Sequence, residues 1–558
     1  MPSLKHSIFP ILGALFAASS GGQSASPAQA VDAPGDLAVL VPEGDLVYVQ
    51  LESLERLDEL SAMLSEQTGS PVELSEDLRG MMGAQLGGDQ VDATRPIGIA
   101  ADPTRMMSGG SPVSAVLLPA KDPSALAGSL QTRDGLPQAE IEGSYVAVPQ
   151  GQSFTRGTGP SPLTQKLLPG TVSARVKLGT LLETLRPLID AALDQAMAML
   201  GSVEVELDTG ELDIEGLMQL YREGFEVAMD SADVLDLAFD AEGTELDFAF
   251  EFLAAEGSQL ATFAKDSKGG TTKLAGFLES ESDFLMFANG DMKTMFDEFL
   301  PVLDDLVAFY PENIQAILDA YLPLYIETAE LLGGEIVTNL NWEPDGFSAE
   351  YFLAADDTDK LVASFQKMLR LEYGTELGVT VGPFETTSVG ELEVTRSTIQ
   401  IDYEKMLMLY GEGFGVDGEQ VAEMVENLYG GNELEIAFAT SGGVLAVYAG
   451  AIGSGAEETM KRFQAGPGKV SEELEADLAE LEQGRLGGVM RMDMGSYLNL
   501  AMQSAEQLLE DSERVELPDL TGTKAVIAMD FRLVGRAWRG GMNMDMAAMS
   551  ELMTSMGK

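Results

Sequence analysis

The side chains available for chemistry in this 558-residue chain are carboxylates, hydroxyls, lysines and arginines, because it has no cysteine and one histidine, His6. Without an imidazole or thiol in the body of the chain there is no Ser-His-Asp triad and no Cys-His pair. The usual ligands of zinc, copper and haem are missing as well. Ser364-Phe365-Gln366-Lys367 has the S-x-x-K spacing in which a lysine assists a nucleophilic serine. Its S-D-N and K-T-G companions are absent, and Thr262 to Lys265 has the same character, so the motif reads as an ordinary exposed helix face. Gly411-Glu412-Gly413-Phe414-Gly415 follows a helical stretch, Tyr403 to Tyr410, and no Walker lysine follows it; it reads as a turn. Asp208, Asp213 and Glu215 form the densest carboxylate loop, but the D-x-[DN]-x-[DN]-G spacing of a calcium loop is missing, which leaves them as acids approaching a helix. Asp356, Asp357 and Asp359 read as the N-cap and first turn of the helix containing Leu361.

Two facing carboxylates could hydrolyse a glycosidic bond without histidine. With 91 acidic residues no pair stands out. Of the two tryptophans, Trp342 falls at a hairpin position and reads as core, while Trp538, between Arg536 and Arg539, is the one that could face a ligand. The chain carries 29 methionines, and Met542, Met544, Met546, Met549, Met553 and Met556 crowd its C-terminus. Thioethers adapt to varied apolar partners and bind Cu(I), yet the spacing of Met546, Met549, Met553 and Met556 is that of one helix face, which favours packing. No catalytic, cofactor-binding or metal-ligating residue is assigned on these grounds, and no cofactor is expected.

The elements that would hold such groups follow from pattern. Lys5, the apolar run Ile8 to Ala18 and Ala28-Gln29-Ala30 have the order of a secretory signal, so residues 1–30 are expected to be removed and the mature chain to start at Val31. A periplasmic or secreted location follows. Loss of Lys5 takes the net charge from −58 to −59, a field that repels nucleic acid. The acids are spread over the whole chain, which suits solubility in salt; capture of cations or basic partners is the alternative.

Glu242-Gly243, Asp345-Gly346, Gly442-Gly443 and Gly109-Gly110 lie between alternating apolar runs and predict hairpins. Phe252-Leu253-Ala254-Ala255-Glu256 is matched by Phe352-Leu353-Ala354-Ala355-Asp356, with Phe239 answering to Trp342 and Phe263 to Phe365. Ala174 to Gly179 and Met490 to Gly495 each lead into a long helix, Thr180 to Leu200 or Ser496 to Glu510. Pro301, Pro311 and Pro323 are expected to break the third helical stretch. Ile436 to Ala456 is uncharged, but its glycines make it a buried hairpin and not a membrane span.

The predicted fold class is α+β: repeated strand-helix-hairpin-helix units whose antiparallel sheets are covered by helices. The units fall at 37–150, 165–265, 275–371 and 389–558, the last with a hairpin insert. Leu40-Val41-Pro42-Glu43-Gly44-Asp45-Leu46-Val47-Tyr48-Val49 resembles the L-P-x-x-x-x-x-[FY] start that recurs in large secreted bacterial proteins of unknown function, and Leu117 to Pro123 before the helix Ser124 to Leu130 is similar to them too. The second unit departs from that start at Ser173 and Ala174. The resemblance implies a secreted or periplasmic repeat protein with no catalytic residue to carry over. The expected function is a non-catalytic scaffold or binding protein with an envelope or extracellular partner, not membrane-spanning. A carboxylate-dependent glycan hydrolase and a carrier of an apolar ligand are the alternatives, the carrier being marked by a pocket lined with Met and Phe.

Overall fold

The computed structural model describes residues 32–556 except 75–87, 131–137, 201–205, 212–221, 291–311, 372–377, 406–425, 482–485, 509–519 and a few shorter stretches. Period-two alternation produces its strands: β1 (Val47–Leu51), β2 (Ile97–Ala101), β3 (Val113–Pro119), β4 (Glu140–Glu142), β5 (Tyr145–Pro149), β6 (Val172–Val176), a separate pair β7 and β8 (Glu206–Leu207, Gly210–Glu211), β9 (Ala232–Glu242) and β10 (Glu245–Ala254). The series continues with β11 (Phe284–Asn289), β12 (Leu332–Glu343), β13 (Gly346–Ala355), β14 (Val379–Val381), β15 (Glu385–Val389), β16 (Leu392–Ile401), β17 (Glu433–Ser441), β18 (Val444–Ala451), β19 (Gly487–Asp493), β20 (Val526–Val534) and β21 (Ala537–Asp545). The helices are α1 (Leu54–Thr68), α2 (Pro123–Leu130), α3 (Leu178–Leu200), α4 (Gln259–Asp266), α5 (Glu312–Leu331), α6 (Thr358–Leu369), α7 (Gly455–Ala465), α8 (Glu472–Leu481), α9 (Met494–Leu508) and α10 (Met546–Met556). The protein is thus α+β, and no helix among the described residues is long and apolar enough to cross a membrane.

Nineteen strands form one sheet in which every pairing is antiparallel. Its spatial order is β4-β5-β3-β2-β1-β6-β9-β10-β21-β20-β19-β11-β12-β13-β18-β17-β16, with β14 and β15 lying end to end along the far side of β16. Five triplets of neighbours follow chain order: β1-β2-β3, β6-β9-β10, β11-β12-β13, β16-β17-β18 and β19-β20-β21. First strands meet at β1–β6 and β11–β19, and last strands meet at β10–β21 and β13–β18. The Gly442-Gly443 turn has φ of +59° and +80°, the doubly positive geometry that a two-residue hairpin needs and that glycine adopts without a Cβ clash.

Alternate residues along each strand serve opposite faces. On the front face, Val49, Ile99, Val116, Val172 and Phe248 pack beneath Leu57 and Leu60 of α1 and Leu126 of α2. Farther along that face, Leu361 of α6 packs on Phe438, Leu445 and Val447. The back face is closed at one end by the chain around Leu37, Leu40, Leu163 and Leu167, which covers Tyr48, Leu117 and Tyr145. At the other end α7 and α8, through Met460, Phe463, Leu474 and Leu478, cover Phe287, Val337, Phe352 and Ala446.

The expected break at Pro323 does not occur. Pro323 lies inside α5, which runs unbroken from Glu312 to Leu331. A proline removes one internal hydrogen bond, and here the helix is held from outside: it packs along α6, where the Thr328 and Ser364 hydroxyls lie 3.1 Å apart. Pro301 and Pro311 lie outside the described residues.

Phe352 is fully buried and stacks on Phe277 at 4.3 Å between centroids. Phe352→Ala should cost about 3–5 kcal/mol, seen as an earlier urea midpoint; a change within error of zero would show that this face of the sheet is not core.

Candidate functional site

The front face carries an arrangement that no linear stretch of the chain reveals. Phe248, Met542, Met529, Met490 and Met286 are successive cross-strand partners on β10, β21, β20, β19 and β11. One row over stand Leu246, Met544, Ile527, Met492 and Phe284. Six methionines therefore share one face of four adjacent strands, and at the usual strand spacing the row of four spans about 15 Å. Met542 is buried, and the other five are half-buried.

On the other side of this row the partners are Phe250, Gly540, Phe531, Gly488 and Ala288. The glycines give the rings room. A Cβ on Gly540 would lie 2.6 Å from Phe250 Cε1, and one on Gly488 would lie 3.1 Å from Phe531 Cε1. Phe531 remains 43% exposed. The result is a tray of thioethers edged by aromatic rings. It is apolar, partly open, and built from side chains that reshape at little cost.

The back of the same strands is charged. Arg175, Asp236, Glu251, Arg539 and Arg532 form an in-register row on β6, β9, β10, β21 and β20. Arg175 grips Asp236 through both oxygens, at 2.6 and 2.5 Å, and Arg539 donates to Glu251. Burial raises the Asp236 carboxyl above its ordinary value against the pull of Arg175. The Arg532 guanidinium is lowered by burial, and by Arg539 beside it. Farther along, Glu350 accepts from Thr459 at 2.5 Å, from Asn339 at 3.3 Å and from Arg462, whose guanidinium lies over the Phe352 ring. Burial raises Glu350 and brings Arg462 down to about 10. Most of these charges serve the fold: Arg175 with Asp236 and Arg539 with Glu251 tie one strand to the next, and Thr459 and Arg462 on Glu350 pin α7 to the sheet.

A third polar cluster surrounds Asp45, which has no exposed surface. Ser114 Oγ donates to its Oδ1 at 2.7 Å and Arg105 Nη2 at 3.3 Å, while Oδ2 has no hydrogen-bond partner among the described residues. Burial is the main cause that pushes this carboxyl up to about 6, outweighing Ser114 and Arg105.

The groups singled out by sequence are dispersed. Ser364 is buried, contrary to an exposed helix face, and its hydroxyl meets Thr328, whereas Lys367 is exposed and reaches Glu327 at 3.8 Å. The burial arises because α6 turns Ser364 toward α5. Asp357 caps α6 by accepting from Lys360 N, and Asp359 lies in the first turn. Trp342 is half-buried against Phe347. Trp538 stacks on Phe263 at 5.6 Å and packs with Leu486 and Leu533, while Arg536 and Arg539 turn to Asp233 and Glu251. On α10, Met549 packs inward but Met553 is exposed and Leu552 takes the buried position. Asp208, Asp213, Glu215 and Gly411 to Gly415 lie outside the described residues. The tray had one signal in the sequence, the period-two pairs Met490/Met492 and Met542/Met544.

A titrating Asp45 has a definite pH signature. Its folded value near 6 exceeds the ordinary 3.8, so the folded state holds the proton more tightly. That contribution to stability is complete below about pH 4 and lost as pH rises through 6, on the order of 2–3 kcal/mol in all. Asp45→Asn should therefore gain on the wild type between pH 4 and 7 in urea melts at constant ionic strength. Parallel pH curves for the two proteins would show that Asp45 does not titrate there.

No family model matches the chain, and no curated protein matches it. Among solved structures, crystal form IV of TP0453 aligns at a TM-score of 0.24 and 6% identity over 50% of this chain and 96% of that one. Crystal form I of TP0453 gives 0.22 and 5% over 52% of this chain and 100% of that one. Likeness at such scores does not define a common fold.

Proposed function

We propose that the chain is a secreted or periplasmic, non-catalytic binding protein that holds an apolar molecule on the methionine tray. The observation that carries this reading is the in-register placement of Met286, Met490, Met529 and Met542, edged by Phe250 and the exposed Phe531. Half-exposed thioethers on a rigid ladder offer apolar contact area without a fixed shape, which suits a ligand recognised by its hydrophobic surface. Beneath it, the scaffold is read as repeats of strand, helix, hairpin and helix. What supports that reading is the recurrence of chain-ordered three-strand meanders, two of which fall within 389–558.

The tray is tested with 1-N-phenylnaphthylamine, a neutral dye whose fluorescence rises in apolar surroundings. The wild type should bind it, and Met529→Gln and Met490→Gln should each weaken binding about tenfold, or about 1.4 kcal/mol, with little change in thermal midpoint. Met106→Gln, on an exposed turn elsewhere, should leave binding unchanged. Equal affinity in all four proteins, or no binding by the wild type, would refute the tray.

The location is tested separately. Mass spectrometry of exported protein should find Val31 at the N-terminus; a cytoplasmic protein that keeps residues 1–30 would contradict export.

A further inference from the structure

We propose that the β15 edge of the sheet is a docking strand for an extended, basic segment of another protein. This stands apart from the tray and rests on different residues. β15 and β16 are joined by a two-residue turn, Gly390-Glu391, between the paired residues Val389 and Leu392. Gly390 has φ of +60° and Glu391 is not among the positive-φ residues, which is the pattern of a type II′ hairpin. In such a hairpin the pair flanking the turn exchanges hydrogen bonds and the pattern then alternates. Val389, Thr387 and Glu385 therefore bond to β16, while Thr386 and Ser388 direct their N–H and C=O groups away from it. No other strand pairs with β15 among the described residues. Glu385, Thr386, Thr387 and Ser388 are all exposed.

This edge lacks the usual guards. An edge strand is normally blunted by shortness, lysine, proline or inward charge. The opposite edge, β4, is three residues long with two glutamates, Glu140 and Glu142, and Glu142 is held by Arg156 at 2.5 Å. β15 is Glu-Thr-Thr-Ser-Val, with β-branched residues in the middle and neither lysine nor proline.

Charge selects the occupant. Glu385, Glu391 and Glu393 are exposed around the edge; of the cations beside it, Arg396 is paired with Glu435 at 3.0 Å and Arg370 lies over the ring of Phe384, just before β15, so the acids outnumber the cations there. A second copy would bring a net charge of −58 against −58, whereas a strand carrying Lys or Arg meets complementary charge. Backbone pairing with Thr386 and Ser388 would supply affinity, and the acids would choose basic flanks.

The test uses a fluorescein-labelled peptide, Lys-Thr-Val-Thr-Val-Thr-Lys, and a twin of equal charge with its central threonine replaced by proline. Anisotropy should show binding of the first, weaker at 300 mM than at 50 mM NaCl, and at least tenfold less binding of the twin. Ser388→Pro removes an outward N–H and no ladder bond, so the thermal midpoint should hold while affinity falls at least tenfold. Glu393→Lys, an exposed change that leaves the backbone alone, should also weaken binding and keeps the test valid if the proline variant unfolds. Equal binding of both peptides would mean attraction by charge alone and would overturn the proposal. So would unchanged affinity in both variants, no binding at all, or sedimentation showing a wild-type dimer that Ser388→Pro dissolves, which would assign the edge to a second copy.

Discussion

The backbone ladder between β10 and β21 is the joint on which the architecture depends. Nine residue pairs, from Glu245 opposite Asp545 to Leu253 opposite Ala537, connect strands formed nearly 300 residues apart in the chain. Among the described strands it is the pairing that joins the sheet strands up to β10 to those from β11 onward, with the β7–β8 pair standing apart. Both ends are fastened by backbone bonds beyond the strands, Met546 N–H to Thr244 O at 2.8 Å and Ala254 N–H to Arg536 O at 3.1 Å. Side chains reinforce it on one face through Arg539 with Glu251 and Asn543 with Asp247. On the other face Phe248 meets Met542. Register here is unforgiving, because a slip of one residue would exchange Met542 for Asn543 and bury polar groups under apolar ones.

The same alternation lets three central strands do two jobs. Odd and even residues of β10, β20 and β21 build an apolar surface and a charged one back to back, separated only by the backbone. On the charged side the cost of removing ions from water is offset by direct partners, most fully where Arg175 holds both oxygens of Asp236. On the apolar side there is no comparable demand for fixed geometry, and methionine is tolerated where leucine or isoleucine would lock a shape. Rigidity and adaptability thus come from opposite faces of one ladder.

The sequence was most legible where structure is local. The turns at Gly243 and Gly442-Gly443 mark hairpins because positive φ is a property of one or two residues, whereas Gly109, also at positive φ, ends a 3-10 helix, Pro103–Ser108, in the longer connection from β2 to β3. The cap at Asp357 follows from near neighbours in the same way. Pro323 misled because its cost is local while the packing that outweighs it comes from α6. The tray was hidden for a related reason: its methionines arrive singly or in pairs from four strands, and their adjacency is a product of register. Nothing in the sequence marks Asp45, which follows Pro42-Glu43-Gly44. Its burial depends on Ser114 and Arg105, more than fifty residues away.

The distance spanned by the β10–β21 joint has a consequence for biogenesis. When Ala254 leaves the ribosome, β10 has β9 on one side and nothing on the other until the chain has grown to Ala537 and beyond. At 5–20 residues per second that interval is roughly 15–60 s. Throughout it a ten-residue strand containing Phe248, Phe250 and Phe252 waits with an open flank. Glu245, Asp247 and Glu251 alternate with those phenylalanines and place like charges along the waiting strand. Nascent chains that approach one another at this stage would have to bring acid against acid, so the acidity of β10 protects an unfinished molecule as well as a finished one.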